Sequence, residues 1–250
     1  MSTGGWIWYE LLSTDVEAAR KFFADVVGWS WSAADPATGY AMFSAGDVAI
    51  GGSMAMPGEL GIPTSLWLGY VNVANVDVVV AAAVRDGATQ RVPPMDIPNV
   101  GRFALIADPQ GAPVYLLAPL PQPGQSQSFA AKVGHCQWNE LLTPDPVAAV
   151  EFYVKHMGWQ KGDVMSMGPM GDYQFLIGGG QRFGAAMKRS EGPPIWRHYF
   201  GVDDMDRAVE AIAAGGGQLR GQMQQVPGGA WAAVAFDPQG AEFGVSGPRR

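Results

Sequence analysis

Four stretches of the chain repeat apolar residues at helical spacing, and each follows an apolar-rich segment of strand length. In the first, Ala19, Phe22, Phe23 and Val26 mark one face and Gly28 the stop; Ala149, Phe152, Tyr153 and Gly158 repeat the pattern. Two shorter helices are predicted from Asp77 to about Gly87 and from Asp206 to Gly215–Gly216. Asp15, Asp77, Asp145 and Asp206 stand at the four starts. There a carboxylate accepts hydrogen bonds from free N–H groups and favours the positive end of the helix dipole. Pro146 suits a first helical turn. The Asp-to-Gly distances run 13, 10, 13 and 10 residues, an A-B-A-B alternation of modules.

After each helix the pattern becomes alternating and turn-punctuated, which predicts strands. Tyr40–Ser44 and Val48–Ile50 flank a turn at Gly46–Asp47, and Arg102–Ala107 and Pro113–Leu117 flank Asp108-Pro-Gln-Gly. The unit is strand–helix–strand–strand–strand, four times. The A-B pair is itself duplicated. WYELLSTDVEAARKFFADVVGW at 8–29 returns as WNELLTPDPVAAVEFYVKHMGW at 138–159, displaced by 130 residues. WLGYVNVANVD at 67–77 returns as WRHYFGVDDMD at 196–206, and ADPQGA at 107–112 as FDPQGA at 236–241, both displaced by 129. Repeats of roughly 20–50 residues make solenoids; one this long is a duplicated domain. The expected organisation is one domain over 1–118, a Pro/Gln/Ser-rich linker over 119–133, and a second domain over 134–250. Pro/Gly-rich crossings between modules fall at 56–65 and 188–195.

Composition narrows the picture. With 48% hydrophobic and 16% charged residues the chain is ordinary globular material, and each copy is long enough to build its own core. A net charge of −7 without a basic cluster argues against nucleic acid or an anionic membrane as partner. The first residues lack the basic and apolar regions of a secretory signal, no apolar run reaches a membrane span, and one cysteine excludes an internal disulfide framework. A cytoplasmic protein is expected.

ELLSTDVEAARKFFADVVGW, ELLTPDPVAAVEFYVKHMGW, YFGVDDMDRAVEAI and the two DPQGA turns carry a family resemblance over about 6–118 and 135–246. The chain resembles tandem two-domain members of the vicinal oxygen chelate superfamily, which includes glyoxalases, bleomycin-resistance proteins and dioxygenases. The resemblance implies an α+β fold of two glyoxalase-like domains. Each would pair two βαβββ modules into a half-open curled mixed sheet with a ligand pocket inside, and the copies would meet as an internal pseudo-dimer. A monomer or homodimer would result.

Metal enzymes of this family carry His, Gln or Glu seven residues before the helix-capping Asp, and a Glu seven residues after the Asp of the DPxG turn. Here those positions hold Trp8, Tyr70, Trp138 and Tyr199, then Tyr115 and Gly244. The segments AIGGSMA at 49–55 and FGAAM at 183–187 bear no His or carboxylate either. Indole and phenol are poor ligands for a divalent ion, so no metal and no cofactor is expected.

Residues two apart on a strand share a face. If Trp8 faces the pocket, so do Trp6 and Glu10; in the second copy the set is Cys136, Trp138 and Glu140. Tyr70 with Asn72, Tyr199 with Gly201, Tyr115 with Pro113, and Gly244 with Glu242 follow by the same parity. The expected ligand-binding set is Trp8, Glu10, Tyr70, Asn72, Tyr115, Cys136, Trp138, Glu140, Tyr199 and Glu242. Cys136, Gly201 and Gly244 would leave the second pocket roomier. The structural alternative puts Glu10 and Glu140 at strand ends against backbone or solvent.

His198 and His135 have the wrong parity for the ligand positions, and His156 lies at a helix end. A His135/His198/Glu140/Glu242 metal set needs two violations of strand parity. Cys136 is read as a buried apolar residue. Trp29 and Trp159 are expected to brace helix against sheet, with Trp67 and Trp196 outside the curl and Trp231 as a further pocket candidate. Segments 91–103 and 221–231 suit mobile lids, and Met165, Met167 and Met170 an adaptable mouth. Two function classes follow: a metal-free binder of a small aromatic or apolar molecule, or a glyoxalase-type lyase or isomerase. The lyase would remove a proton next to a carbonyl with Glu140 or Glu10 as base. A scaffold whose pockets have filled with their own aromatics is the duller reading.

Overall fold

The structure, a computed structural model, describes residues 3–58, 64–121 and 127–250. Four modules follow one another. The first is β1 (Trp6–Ser13), α1 (Val16–Val27), β2 (Ser30–Trp31), β3 (Ala41–Ala45) and β4 (Val48–Ala55). The second is β5 (Leu66–Asn72), α2 (Val76–Arg85), β6 (Thr89–Ile97), β7 (Gly101–Ala107) and β8 (Pro113–Pro119). The third is β9 (Cys136–Thr143), α3 (Pro146–Met157), β10 (Gln160–Ser166), β11 (Asp172–Gly178) and β12 (Gln181–Lys188). The fourth is β13 (Ile195–Gly201), α4 (Met205–Ala214), β14 (Gln218–Leu219), β15 (Gln224–Gln225), β16 (Trp231–Phe236) and β17 (Glu242–Gly247).

These strands form two open, curled mixed sheets, ordered β2-β3-β4-β1-β5-β8-β7-β6 and β10-β11-β12-β9-β13-β17-β16-β14, with β15 paired to β16. The α+β class and the two-sheet glyoxalase-like architecture expected from the sequence are therefore present. Within each module the first and last strands run parallel. This sets Glu10 opposite Gly52, Tyr70 opposite Tyr115, Glu140 opposite Ala185 and Tyr199 opposite Gly244. The hairpins in between are antiparallel.

By Cα packing the chain also divides into two compact units, each holding one A and one B module. Unit 1 is Met1–Ile7, Leu68–Ser126 and Asn139–Trp196; unit 2 is Trp8–Trp67, Gln127–Trp138 and Arg197–Arg250. In unit 2, Phe23, Trp29, Phe43, Trp67 and Phe200 form the aromatic core, with Trp29 stacked on Phe43 at 4.1 Å. In unit 1, Trp159 stacks on Tyr153 at 5.0 Å and meets Phe183 and Trp196. Each bracing indole also donates to a backbone carbonyl 2.7 Å away, Trp29 to Gly134 and Trp159 to Gly4, so both groups are satisfied in the interior. Trp6, expected beside Trp8 on the pocket face, instead joins the unit 1 cluster, 5.1 Å from Trp196. At the start of β1 this indole is buried against three aromatic rings, Trp159, Phe183 and Trp196.

Asp15 and Asp145 cap α1 and α3 through bonds from the Ala18 and Ala148 amides, and Gly28 and Gly158 end those helices at φ 88° and 67°. The two shorter helices start earlier than expected. Asn75 and Asp204 are their caps, and Asp77 and Asp206 lie in the first turn. Those two carboxylates are taken instead by Arg102, which grips Asp77 with two nitrogens at 2.6 and 2.8 Å, and by Arg249. The Arg102 guanidinium holds the Asp77 carboxyl below the usual range.

Segment 91–103 is not a lid loop. Most of it is the β6–β7 hairpin, an edge where Pro93 and Pro94 cost no internal ladder bond and two register shifts absorb them. Segment 221–231 likewise contains β15, which pairs with β16. Of the expected linker, 122–126 lie outside the described residues, as do 59–63 of the 56–65 crossing. Phe129 bridges to Cys136.

Candidate functional site

Unit 2 holds the first strand of module one. Glu10 is 4% exposed, and the Trp8 indole nitrogen donates to the Tyr40 hydroxyl at 2.8 Å. Tyr40 in turn bonds the Glu10 carboxylate, and its ring end lies over Gly52, where an added Cβ would stand 2.1 Å from the hydroxyl oxygen. Burial first, and the Glu10 charge next, push the Tyr40 hydroxyl above the usual phenol range.

The same unit holds the last module's strands. Arg197, 6% exposed, grips Glu242 through two nitrogens, one at 2.9 Å, and its Nη1 lies 3.3 Å from the Tyr199 hydroxyl. Arg220 reaches Glu242 at 3.2 Å. Arg197 was not anticipated, although its parity with Tyr199 places it on the same face. Counting seven residues back from the observed cap Asp204, rather than from Asp206, also lands on it. The room expected at Gly244 and Gly201 is taken. A Cβ at Gly244 would stand 2.1 Å from Cδ1 of Tyr199, and one at Gly201 2.1 Å from the Gln137 amide. Opposite Gly244, Val234 is half-buried, whereas Leu105 opposite Tyr115 is 2% exposed.

Cys136 is fully buried, and its sulfur lies 3.3 Å from the Trp138 carbonyl. Burial pushes its thiol up to about 12, so it is no nucleophile at neutral pH. Trp138 itself is half-buried. His198 is enclosed edge-on against Tyr9 at 4.9 Å, and burial pulls its pKa down to about 3, which keeps the ring neutral. His135 is buried with Nδ1 3.0 Å from the Val133 carbonyl. Both histidines are thus buried rather than at the surface.

In unit 1 the Tyr70 and Tyr115 rings stack at 4.2 Å and 12°. Asn72 is buried, with its backbone bonded to Gly4 and Gly5. Glu140, 6% exposed, accepts from the Tyr173 hydroxyl at 2.8 Å. Both glutamates are thus buried beside phenols, not frayed at strand ends. A groove of about 350 Å³ lies elsewhere in this unit, lined by Asp86, Gln110, Phe152 and His156, with Asp86 paired to Lys155 and His156.

The residues at the family's metal-ligand positions do not fit a divalent ion. The two tyrosines opposite each other in unit 1 are stacked face to face, the Trp8 nitrogen donates rather than accepts, and the Tyr199 ring covers Gly244. Among the described residues no three His, Cys, Asp or Glu side chains converge.

Comparison with known proteins agrees with this scaffold. A protein of Mycobacterium tuberculosis named "Putative glyoxylase CFP32" is 33% identical over 253 residues, covering 96% of this chain and 94% of that protein. The chain belongs to the glyoxalase/bleomycin resistance protein/dioxygenase superfamily. The model of that superfamily matches residues 132–245, which contain the third module and all but the last two residues of the fourth. The anthracycline biosynthesis protein DnrV of Streptomyces peucetius is 28% identical, covering 95% of this chain and 91% of its own. Among solved structures, the 2,3-dioxygenase LapB from Pseudomonas sp. KL28 superposes with a TM-score of 0.68 at 14% identity, covering all of this chain and 94% of LapB. The Mn(II)-bound glyoxalase from Novosphingobium aromaticivorans gives 0.66 at 16%, covering 98% and 82%. At these identities the two structures share the superfamily fold, and their metal chemistry stays their own.

Proposed function

We propose that the protein is a metal-free member of this superfamily that binds a small aromatic or apolar organic molecule. The two copies would be 1–118 and 134–250, joined by 119–133, in a cytoplasmic monomer or homodimer. The observation that carries the reading is the replacement of ligand chemistry by aromatic rings next to buried glutamates. Trp8, Glu10, Cys136, Trp138, Tyr199 and Glu242 supply the candidate contacts of unit 2, and Tyr70, Asn72, Tyr115 and Glu140 those of unit 1. Stacking on indole and phenol gives affinity, while a carboxylate fixes orientation. The name of the Streptomyces relative, an anthracycline biosynthesis protein, favours a planar polycyclic ligand.

The name of the mycobacterial relative supports a second reading, proton removal next to a carbonyl by Glu140 or Glu10. Tyrosine hydroxyls and Arg197 are then the groups available to a developing oxyanion. A thermal-shift screen of polycyclic aromatics, run beside a hemithioacetal isomerisation assay, separates the two. Stabilisation by an aromatic without turnover supports binding. Turnover abolished by Glu140→Gln or Glu10→Gln supports the lyase, and neither result rejects both.

A further inference from the structure

The tandem repeat keeps its frame at 129–130 residues, yet one feature recurs outside it. On the first sheet Leu11 pairs with Ser53, and Ser53 with Ala41; on the second, Leu141 pairs with Ala186, and Ala186 with Gln174. Ala41 and Gln174 are therefore equivalent, and so are the residues before them, Tyr40 and Tyr173. Their displacement is 133, because the second copy carries three extra residues between its first helix and this strand. Despite that insertion, a tyrosine returns to the same register position. In both copies its hydroxyl meets the strand-one glutamate, Tyr173 with Glu140 at 2.8 Å and Tyr40 with Glu10.

We propose that Tyr40 and Tyr173 are duplicated positioning residues that hold Glu10 and Glu140 as oriented acceptors for a hydrogen-bond donor, a phenolic hydroxyl on a planar ligand. This rests on the small-aromatic reading of the site. The direction of the hydrogen bonds sets the ligand's polarity. An indole N–H can only donate, so the Tyr40 oxygen accepts from Trp8 and sends its own proton to Glu10. The phenol keeps that proton, since burial and the neighbouring charge both oppose its ionisation. A carboxylate offers about four lone-pair positions, and the phenol occupies one, turning the others. An acceptor so placed attracts a hydroxyl and repels a ligand carbonyl or carboxylate.

The test uses 2,6-dihydroxynaphthalene and 2,6-dimethoxynaphthalene, whose hydroxyls have no internal acceptor, as probes against the full chain. The wild type is expected to bind the dihydroxy probe about tenfold more tightly, the scale of one hydrogen bond to a charged group. Tyr40→Phe and Tyr173→Phe keep the ring but should shrink that preference. A purely structural tyrosine would weaken both probes alike, so an unchanged ratio overturns the proposal. A second readout needs no ligand. In isotope-edited infrared spectra a glutamate carboxylate band should move in each Tyr→Phe variant and not in Phe175→Leu. An unmoved band overturns the pairing whatever the probes do. If neither probe binds the wild type, the aromatic reading fails by itself, and the infrared result still decides the Tyr–Glu pair. Should a Tyr→Phe variant not fold, Glu140→Leu and Glu10→Leu remove the acceptor of the same pairs and should erase the preference too.

Discussion

Arg197 and Glu242 show how much one buried charge depends on its partner. Removing the guanidinium leaves the enclosed carboxylate with only the more exposed Arg220 at 3.2 Å, at a cost of up to about 3–5 kcal/mol, whereas removing both Arg197 and Glu242 charges together costs less. Arg197→Met should therefore lower the melting temperature more than the Arg197→Met/Glu242→Met double variant, and equal losses in thermal melts would deny the coupling. Asp237 is the opposite case. Its carboxyl accepts three backbone bonds in the DPQG turn, but burial dominates and raises its pKa to about 6. Because that folded value lies above the unfolded one, the native state binds the extra proton, and stability falls as pH rises from about 4 to 6. Asp237→Asn should flatten that part of the pH–stability curve, read by denaturant melts at several pH values.

At the scale of elements, caps decide boundaries that periodicity leaves loose. Asn75→Ala should cost about 1 kcal/mol through loss of the α2 cap. Asp77→Ala, by contrast, removes an exposed ion pair with Arg102, worth about 0–1 kcal/mol. Chemical denaturation of the two variants ranks them, and the reverse order would restore Asp77 as the cap. The misplacement had a simple cause. Asn75-Val76-Asp77 and Asp204-Met205-Asp206 each offer two capping residues, and the repeat with Asp15 and Asp145 favoured the wrong one. The β6 edge misled for a different reason. Its prolines read as a loop, but an edge strand needs fewer N–H donors, and only the sheet order shows that β6 is an edge.

For the molecule as a whole, protein purified without chelator should contain no stoichiometric zinc, nickel, manganese or iron, and chelator should leave its melting temperature unchanged. A bound metal lost on mutating β5 and β13 would contradict the erased ligand set. The duplication and the four βαβββ modules were legible in the chain. They depend on local periodicity, turn chemistry and residue type, which repeat at a fixed spacing. That Glu10 shares a face of β1 with Trp8, and Glu140 a face of β9 with Trp138, follows from strand parity, which needs no partner. Tyr40 and Tyr173, Arg197's hold on Glu242, the burial of Trp6 and the loss of space at Gly244 were not legible there. Each is a meeting of strands or loops far apart in sequence, set by sheet register and by competition for buried volume, and an insertion of three residues was enough to hide the tyrosines from the repeat. The sequence by itself determined which side chains the scaffold carries and on which face; tertiary packing alone decided which of them touch, because contact across a sheet depends on register and no residue encodes its own partner.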